Sequence, residues 1–329
     1  MKKTTIIAEI AQGYEGDIRL CQRFVKLAKL CGADGIKFQI FEAEELCLSN
    51  YKYYDLFKSL YIKPDKWKSI IDLCNKMDIG FYADIFGETT LQWISKCEIA
   101  GLKIHSTDLK NYKLLYQLRN QNLRVILGVG GSTLEEIEKA VKYIDRNEVI
   151  VMSGFQAEPN LIEDIELHKL SIIKNRLNVK VGYADHIDVN NPLSKSLPAM
   201  AVLMGADYIE KHLTIERNAL QLEDYISALN PDEFKEMVNI IRDLEEFPDP
   251  YDSKFELTNR EKNYRKSSKK VILASVELEK GMEITSDHVV MLRTAEECTE
   301  LLDIEDVIGK KVVQKIERHK IIRREFLSN

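Results

Sequence analysis

From residue 4 to about residue 213 the chain repeats one pattern. A short run of apolar and β-branched residues is followed by a loop, and then by a stretch in which apolar residues recur every three to four positions. Eight such runs can be read: TTIIAEI (4–10), DGIKFQI (34–40), GFYADI (80–85), GLKIHS (101–106), RVILGV (124–129), VIVMSG (149–154), VKVGYAD (179–185) and DYIEKHL (207–213). DIRLCQRFVKLAKLCG, PDKWKSIIDLCNKM, TLEEIEKAVKYID and, after the eighth run, PDEFKEMVNIIRDLEEF carry the helical period. Alternating strands and helices mean parallel strands joined by crossovers, and eight units in about 245 residues match the size of a closed (β/α)8 TIM barrel. A doubly wound open sheet is the competing α/β fold, but no GxGxxG follows the first run.

The helical pattern stops at Phe247. PDPYDSKFELTNREKNYRKSSKK lacks apolar periodicity and has linker composition. From Lys269 the text changes to short strands and turns, with Gly281 and Gly309 as turn residues and a single short helical candidate near 296–303. The expected organisation is a barrel over 1–250, a linker over 251–268 and a small, mostly β domain over 269–329. Six of the eleven residues of 260–270 are basic, and with Glu261 among them they read as a solvated hinge.

Composition narrows the function. The 329 residues hold 47 basic and 53 acidic side chains, a net charge of −6, which argues against nucleic acid or an anionic membrane as the main partner. Glu9 breaks the first apolar run long before a signal-peptide core or a membrane span could form, so a cytoplasmic location is expected. Cys21, Cys31, Cys47, Cys74, Cys97 and Cys298 include no CxxC pair and read as reduced, mostly structural thiols.

A barrel of this kind places its reacting groups at the C-terminal ends of strands and in the loops that follow. Polar and ionisable residues in the apolar runs or just after them are therefore informative: Glu9, Lys37, Gln39, Asp84, Lys103, Ser106, Asp108, Asp185, His186, Glu210 and His212. Period-two alternation puts Lys37 with Gln39, and Glu210 with His212, on one face of each strand. Two inward lysines suit a ligand with several negative charges, of the phosphate or phosphoenolpyruvate type, and the GVGGST turn before a helix would add backbone donors. His186 and His212 close neighbouring strands. They read either as hydrogen-bonded core histidines or as a pair sharing a divalent cation with a carboxylate and water. His105, on the Lys103 face, is a further candidate.

IIAEIAQGYEGD, AKLCGADGIKFQIF, GLKIHSTDLKNYKLL, RVILGVGGSTLEEIEKAV, VGYADH and YIEKHLT together resemble the sialic acid (N-acetylneuraminate) synthase family. ASVELEKGMEITSDHVVMLRT followed by DVIGKKVVQKI resembles the antifreeze-like (SAF) domain attached to it. The resemblance implies a phosphoenolpyruvate-dependent condensation with an amino sugar, yielding a nonulosonic acid and phosphate with the help of Mn2+ or Mg2+. It implies a homodimer in which the small domain of one chain covers the site of the other. By position, Glu9 would assist the water step, and Lys37 and Lys103 would hold phosphoenolpyruvate. Ser106 would contact phosphate, Gln39 and Asp108 the sugar, and His186 and His212 the metal. Asp224 and Asp185 would bind substrate, and Arg293 would reach the sugar from the lid.

The chain departs from the family pattern at several of these points. Ala83-Asp84-Ile85 stands where the family has serine-threonine-proline, and Gly128-Val129-Gly130-Gly131 where it has serine-threonine-glycine-methionine. Gln156 and Glu158 replace an asparagine and a tyrosine, and Leu222-Glu223-Asp224 replaces glycine-proline-aspartate. Asp84, Gln156 and Glu158 are accordingly expected to shape substrate binding. The alternatives are a non-catalytic sugar-binding or regulatory protein on the same scaffold, or a barrel lyase or aldolase working through a lysine imine. Candidate acceptors are N-acetylmannosamine, its 6-phosphate, and 6-deoxy diacetamido hexoses.

Overall fold

A computed structural model describes residues 2–119, 121–144, 149–154, 160–217, 223–247 and 255–328. The chain divides into two compact units, Met1–Tyr251 and Asp252–Asn329. In the first, eight parallel strands close into a barrel in chain order. They are β1 (Thr5–Glu9), β2 (Gly35–Ile40), β3 (Gly80–Ile85), β4 (Gly101–Ile104), β5 (Val125–Gly128), β6 (Val149–Ser153), β7 (Lys180–Asp185) and β8 (Tyr208–His212). Each expected run contains its strand, and β8 pairs back onto β1 with Glu9 opposite His212.

Helices cover the outside through apolar stripes. The helix Ile18–Leu30 buries Cys21, Phe24, Val25 and Ala28, the spacing of one helical face, and Asp17 caps it by accepting from the Arg19 amide. The helix Pro231–Glu245 buries Phe234, Met237, Val238 and Ile241 beneath an Asn230/Glu233 capping box. Each fully buried large apolar side chain contributes about 1.5–3 kcal/mol.

Inside the barrel the side chains form layers. Ile7, Tyr82, Ile126, Ile150, Met152, Ala184 and Tyr208 make an apolar plug. Gly35 and Gly101 are there for space, because a Cβ would stand 2.4 Å and 2.9 Å respectively from the Tyr82 ring. The inward residues beyond the plug are polar.

The second unit contains an antiparallel pair, β9 (Val271–Ala274) and β10 (Val289–Leu292). Both faces of β9 are covered: Ile272 and Ala274 pack with Leu278, Ile284, Val307 and Ile316, while Val271 and Leu273 pack with Cys298 and Ile321. Two expectations need correction. Residues Asn259–Ser268 form a helix, not a structureless linker; it has no buried residue and is started by a Thr258/Glu261 capping box. The basic stretch lies largely on this exposed helix. The short helix expected near 296–303 instead runs Ile304–Val307, because Asp303 and Asp306 form the capping box that fixes its start.

Candidate active site

β1, β2, β3, β4 and β8 point Glu9, Lys37, Asp84, Lys103 and Glu210 into one layer above the apolar plug. The register explains the convergence: Glu9 lies opposite Lys37, and Asp84 opposite Lys103. All five are buried. They line a cavity of about 190 Å³ together with Gln12, Gln39, His105, His186 and His212.

Glu210 is the hub. Its Oε2 accepts from Lys37 Nζ at 2.7 Å and its Oε1 from Lys103 Nζ at 2.6 Å. Lys37 also meets Glu9 at 2.6 Å and Asp84 at 3.5 Å. Burial would raise the Glu210 carboxyl, but the Lys103 and Lys37 ammoniums outweigh it and hold the group far below the ordinary glutamate range. Burial brings Lys37 down to about 8, against the support of Glu210 and Asp84, with the Lys103 charge adding to the depression. For Lys103 burial also depresses, but Glu210 and Asp84 outweigh it, and the ammonium is held above its usual value. Three carboxylates thus face two lysines, and Asp84 Oδ1 is a buried oxygen with no hydrogen-bond partner among the described residues.

The remaining residues divide around this centre. Glu9 Oε1 accepts the Ala11 amide at 2.5 Å, in a turn where Ala11 adopts φ +49°. Beside Lys103, Ser106 lines a recess with Gly128, Val129, Gly130 and Gly154. A Cβ on Gly128 would come within 3.1 Å of the Ser106 amide nitrogen, so glycine keeps this wall open. On the other flank Gln39, Gln12 and His105 open into a vestibule of about 590 Å³ that contains Asp108. Gln12 donates to Gln39 at 3.2 Å.

His186 and His212 stand with ring centroids 5.2 Å apart and planes inclined by 63°. Burial, and then the His212 charge, pull the His186 imidazole well below its ordinary value, so its ring is neutral. Its Nδ1 is buried without a hydrogen-bond partner among the described residues. A neutral imidazole with a free nitrogen beside a second histidine fits a divalent cation. Imidazole nitrogen also favours manganese over magnesium. No group of three metal-ligating side chains comes together among the described residues, so water and substrate would complete the coordination.

One expected substrate contact is displaced. Asp185 faces away from the cavity: it lies opposite Lys211, one position out of phase with the inward pair Ala184 and Glu210. Its carboxylate takes the Lys211 ammonium at 2.7 Å in a fully buried pair, and it also accepts from Tyr183 and the Ile187 amide. Asp185 is therefore a structural residue behind the site. Arg293 is exposed just past β10 in the second unit. Gln156 and Glu158 lie outside the described residues, as does the side chain of Asp224. Period-two alternation points Glu210 inward but assigns it no partner, since a bridge between lysines on β2 and β4 is a contact across the barrel. Gln12 carried no signal at all.

All six cysteines are free thiols, and no helix among the described residues is long and apolar enough to cross a membrane.

Comparison with known proteins gives this arrangement its relatives. An uncharacterized protein of Methanocaldococcus jannaschii is 36% identical over 245 residues, covering 74% of this chain and 71% of its own. The N,N'-diacetyllegionaminic acid synthase of Legionella pneumophila is 26% identical over 309 residues, covering 88% and 85%. The crystal structure of an N-acetylneuraminic acid synthetase from Leptospira borgpetersenii superposes with a TM-score of 0.72 at 27% identity, over 80% of this chain and 90% of that one. The NeuB family model matches residues 24–249, most of the barrel and nearly every group lining its cavity, and the chain belongs to the NeuB family.

Proposed function

We propose that the chain is an enzyme that condenses phosphoenolpyruvate with the open-chain form of an amino sugar, giving a nonulosonic acid and inorganic phosphate. The observation that carries this reading is the pair of buried ammoniums, Lys37 and Lys103, held side by side by Glu210 at the C-terminal mouth of the barrel. Glu210, Glu9 and Asp84 compensate the two charges, and a donor with phosphate and carboxylate groups would take over part of those contacts. The relatives' synthase names agree with it.

In this reading Lys37 and Lys103 bind and neutralise the phosphate and carboxylate groups, with Ser106, beside Lys103, as a phosphate contact. The fixed polar groups of the cavity hold the donor carbon against the acceptor aldehyde. His186 and His212 would hold a divalent cation, which when bound supplies Lewis-acid polarisation of the aldehyde oxygen. The methylene carbon bonds to the aldehyde carbon as the aldehyde π bond opens and its oxygen takes up a proton, water adds at the neighbouring carbon, and the carbon–oxygen bond to phosphate breaks to leave the ketone. Glu9, oriented by the Ala11 amide, accepts the proton of that water. The reading also takes over the dimer of the resemblance, with Arg293 of the second unit contacting the sugar in the other chain's barrel, and a cytoplasmic location. Lys103→Ala is expected to lower phosphate release at least a hundredfold with the far-ultraviolet circular dichroism intact; undiminished release would remove the assignment.

Asp84 favours a second reading. A carboxylate on the anion-binding wall opposes phosphate, as in a sugar-binding protein that has lost this chemistry. In that case phosphoenolpyruvate with Mn2+ would not raise the melting temperature, whereas a ligand at a hundred times its Kd stabilises by about 2.7 kcal/mol.

A further inference from the structure

We propose that Asp84 binds the anionic donor through a proton: its carboxylate takes up one proton as phosphoenolpyruvate enters and then donates a hydrogen bond to an anionic oxygen of that donor. This rests on the condensation reading and adds how a chain with a carboxylate in its anion-binding wall accommodates the donor. The three carboxylates of the cavity are held very differently. Glu210 accepts from Lys37 at 2.7 Å and from Lys103 at 2.6 Å. Glu9 meets Lys37 at 2.6 Å and takes the Ala11 amide at 2.5 Å. Asp84 has one long contact, 3.5 Å from Oδ2 to Lys37 Nζ. Its Oδ1 is buried with no hydrogen-bond partner among the described residues, on a side chain 1% exposed.

Asp84 also stands where the anion must go. In the sheet register it lies opposite Lys103 on β4 and Gln39 on β2, so an anion bridging the two ammoniums comes up against it. The other charged and titratable groups facing the cavity are Glu9 from β1, Lys37 from β2, Lys103 and His105 from β4 and the turn after it, His186 from the end of β7, and Glu210 and His212 from β8. Anionic oxygens brought together in a buried site share a proton, because both cannot stay bare beside one another.

The geometry says which group takes that proton. Protonating Glu210 or Glu9 would weaken a short contact to an ammonium or an amide, groups that only an acceptor satisfies. Asp84 Oδ1 has no donor to lose, and Oδ2 keeps its contact with Lys37. His105 is not a rival: its Nδ1 accepts the Thr107 backbone amide at 3.4 Å, and burial holds the imidazole below its ordinary value. With manganese on His186 and His212, those rings take up no proton. A protonated Asp84 turns an oxygen that repels the donor into an O–H aimed at it, and a hydrogen bond to an ionised acceptor is of the strong kind.

The test is titration calorimetry of phosphoenolpyruvate into the full chain saturated with Mn2+, at pH 6.5 in three buffers of different ionisation enthalpy, which counts the protons taken up per donor bound. That pH is well below the value of about 8 for Lys37, so its ammonium keeps its proton throughout. The parent should take up at least about half a proton more than Asp84→Asn, whose amide is a permanent donor, and more than Asp84→Thr, whose hydroxyl is another. The Kd of the parent relative to either variant should rise with pH around 6.5, by roughly three- to tenfold per pH unit for half to one proton. Equal proton counts in the parent and both variants, with a Kd ratio flat in pH, overturn the proposal. Binding to the variants alone would mean that Asp84 excludes the donor, and would overturn it too. Phosphoenolpyruvate that binds none of the three proteins removes the condensation reading itself.

Discussion

Replacing Glu210 by Gln removes one charge and almost no volume, so it isolates the electrostatics of the cavity. At 2.6–2.7 Å each ammonium–carboxylate contact is worth about 6 kcal/mol at an effective dielectric of about 20. Much of that is offset by the desolvation of the three groups. The lysines stay buried in the variant, and removing one partner of a buried pair costs about 3–5 kcal/mol. The loss falls unevenly. Lys37 keeps Glu9 at 2.6 Å and Asp84 at 3.5 Å, while Lys103 has no other ion pair within 4 Å among the described residues. Lys103 therefore loses the larger part of what holds its ammonium above the usual value and keeps only the Asp84 charge in support. A loss of 3 kcal/mol corresponds to a fall in Tm of roughly 6–12 °C for a unit of this size. Urea unfolding at pH 7 of Glu210→Gln, Lys103→Met and the double variant gives the coupling directly: the double variant should be less destabilised than the sum of the singles by at least about 1 kcal/mol. Strict additivity, or a Glu210→Gln protein as stable as the parent, would refute the hub.

Three further outcomes are expected. Because Lys37 loses its proton near pH 8, the Kd for phosphoenolpyruvate should rise as pH climbs through that value, as calorimetry across pH 6.5–9.5 would show. Between about 8 and the ordinary lysine value of 10.5 the unfolded chain keeps a proton the folded chain has released, so this group makes stability rise with pH in that window. Asp185→Ala should cost about 3–5 kcal/mol by stranding Lys211, and Asp185→Leu with Lys211→Met should recover most of it, with acceptor KM unchanged; a selective rise in that KM would return Asp185 to the substrate. Arg293→Ala mixed with Lys103→Ala should regain activity that neither variant has alone, and no recovery after co-refolding would count against a site shared between chains.

The barrel was legible because its signals are local. Eight apolar runs alternate with amphipathic stretches, and a strand buried on both faces cannot hide its hydrophobicity. Lys37, Lys103, Glu9, Asp84, His186 and His212 stand out as ionisable residues inside or at the end of those runs, and the closed topology brings them together. Asp185 misled because period two was not carried across β7: Ala184, one residue earlier, is the inward position. Glu210 went without a role because its partners lie 173 and 107 residues away. The helix Asn259–Ser268 was invisible to hydrophobic periodicity because it buries nothing. Only the Thr258/Glu261 box announced it, a signal of capping rather than packing.

The central claim is carbon–carbon bond formation in the Lys37–Lys103 cavity. Its most direct test is the mass of the product formed from phosphoenolpyruvate, Mn2+ and an N-acylated hexosamine. A new acid containing the acceptor plus the three carbons of pyruvate, in one-to-one proportion with phosphate, is the predicted result. Pyruvate and phosphate released with the sugar unchanged, or an acceptor cleaved in place of extended, would contradict the account.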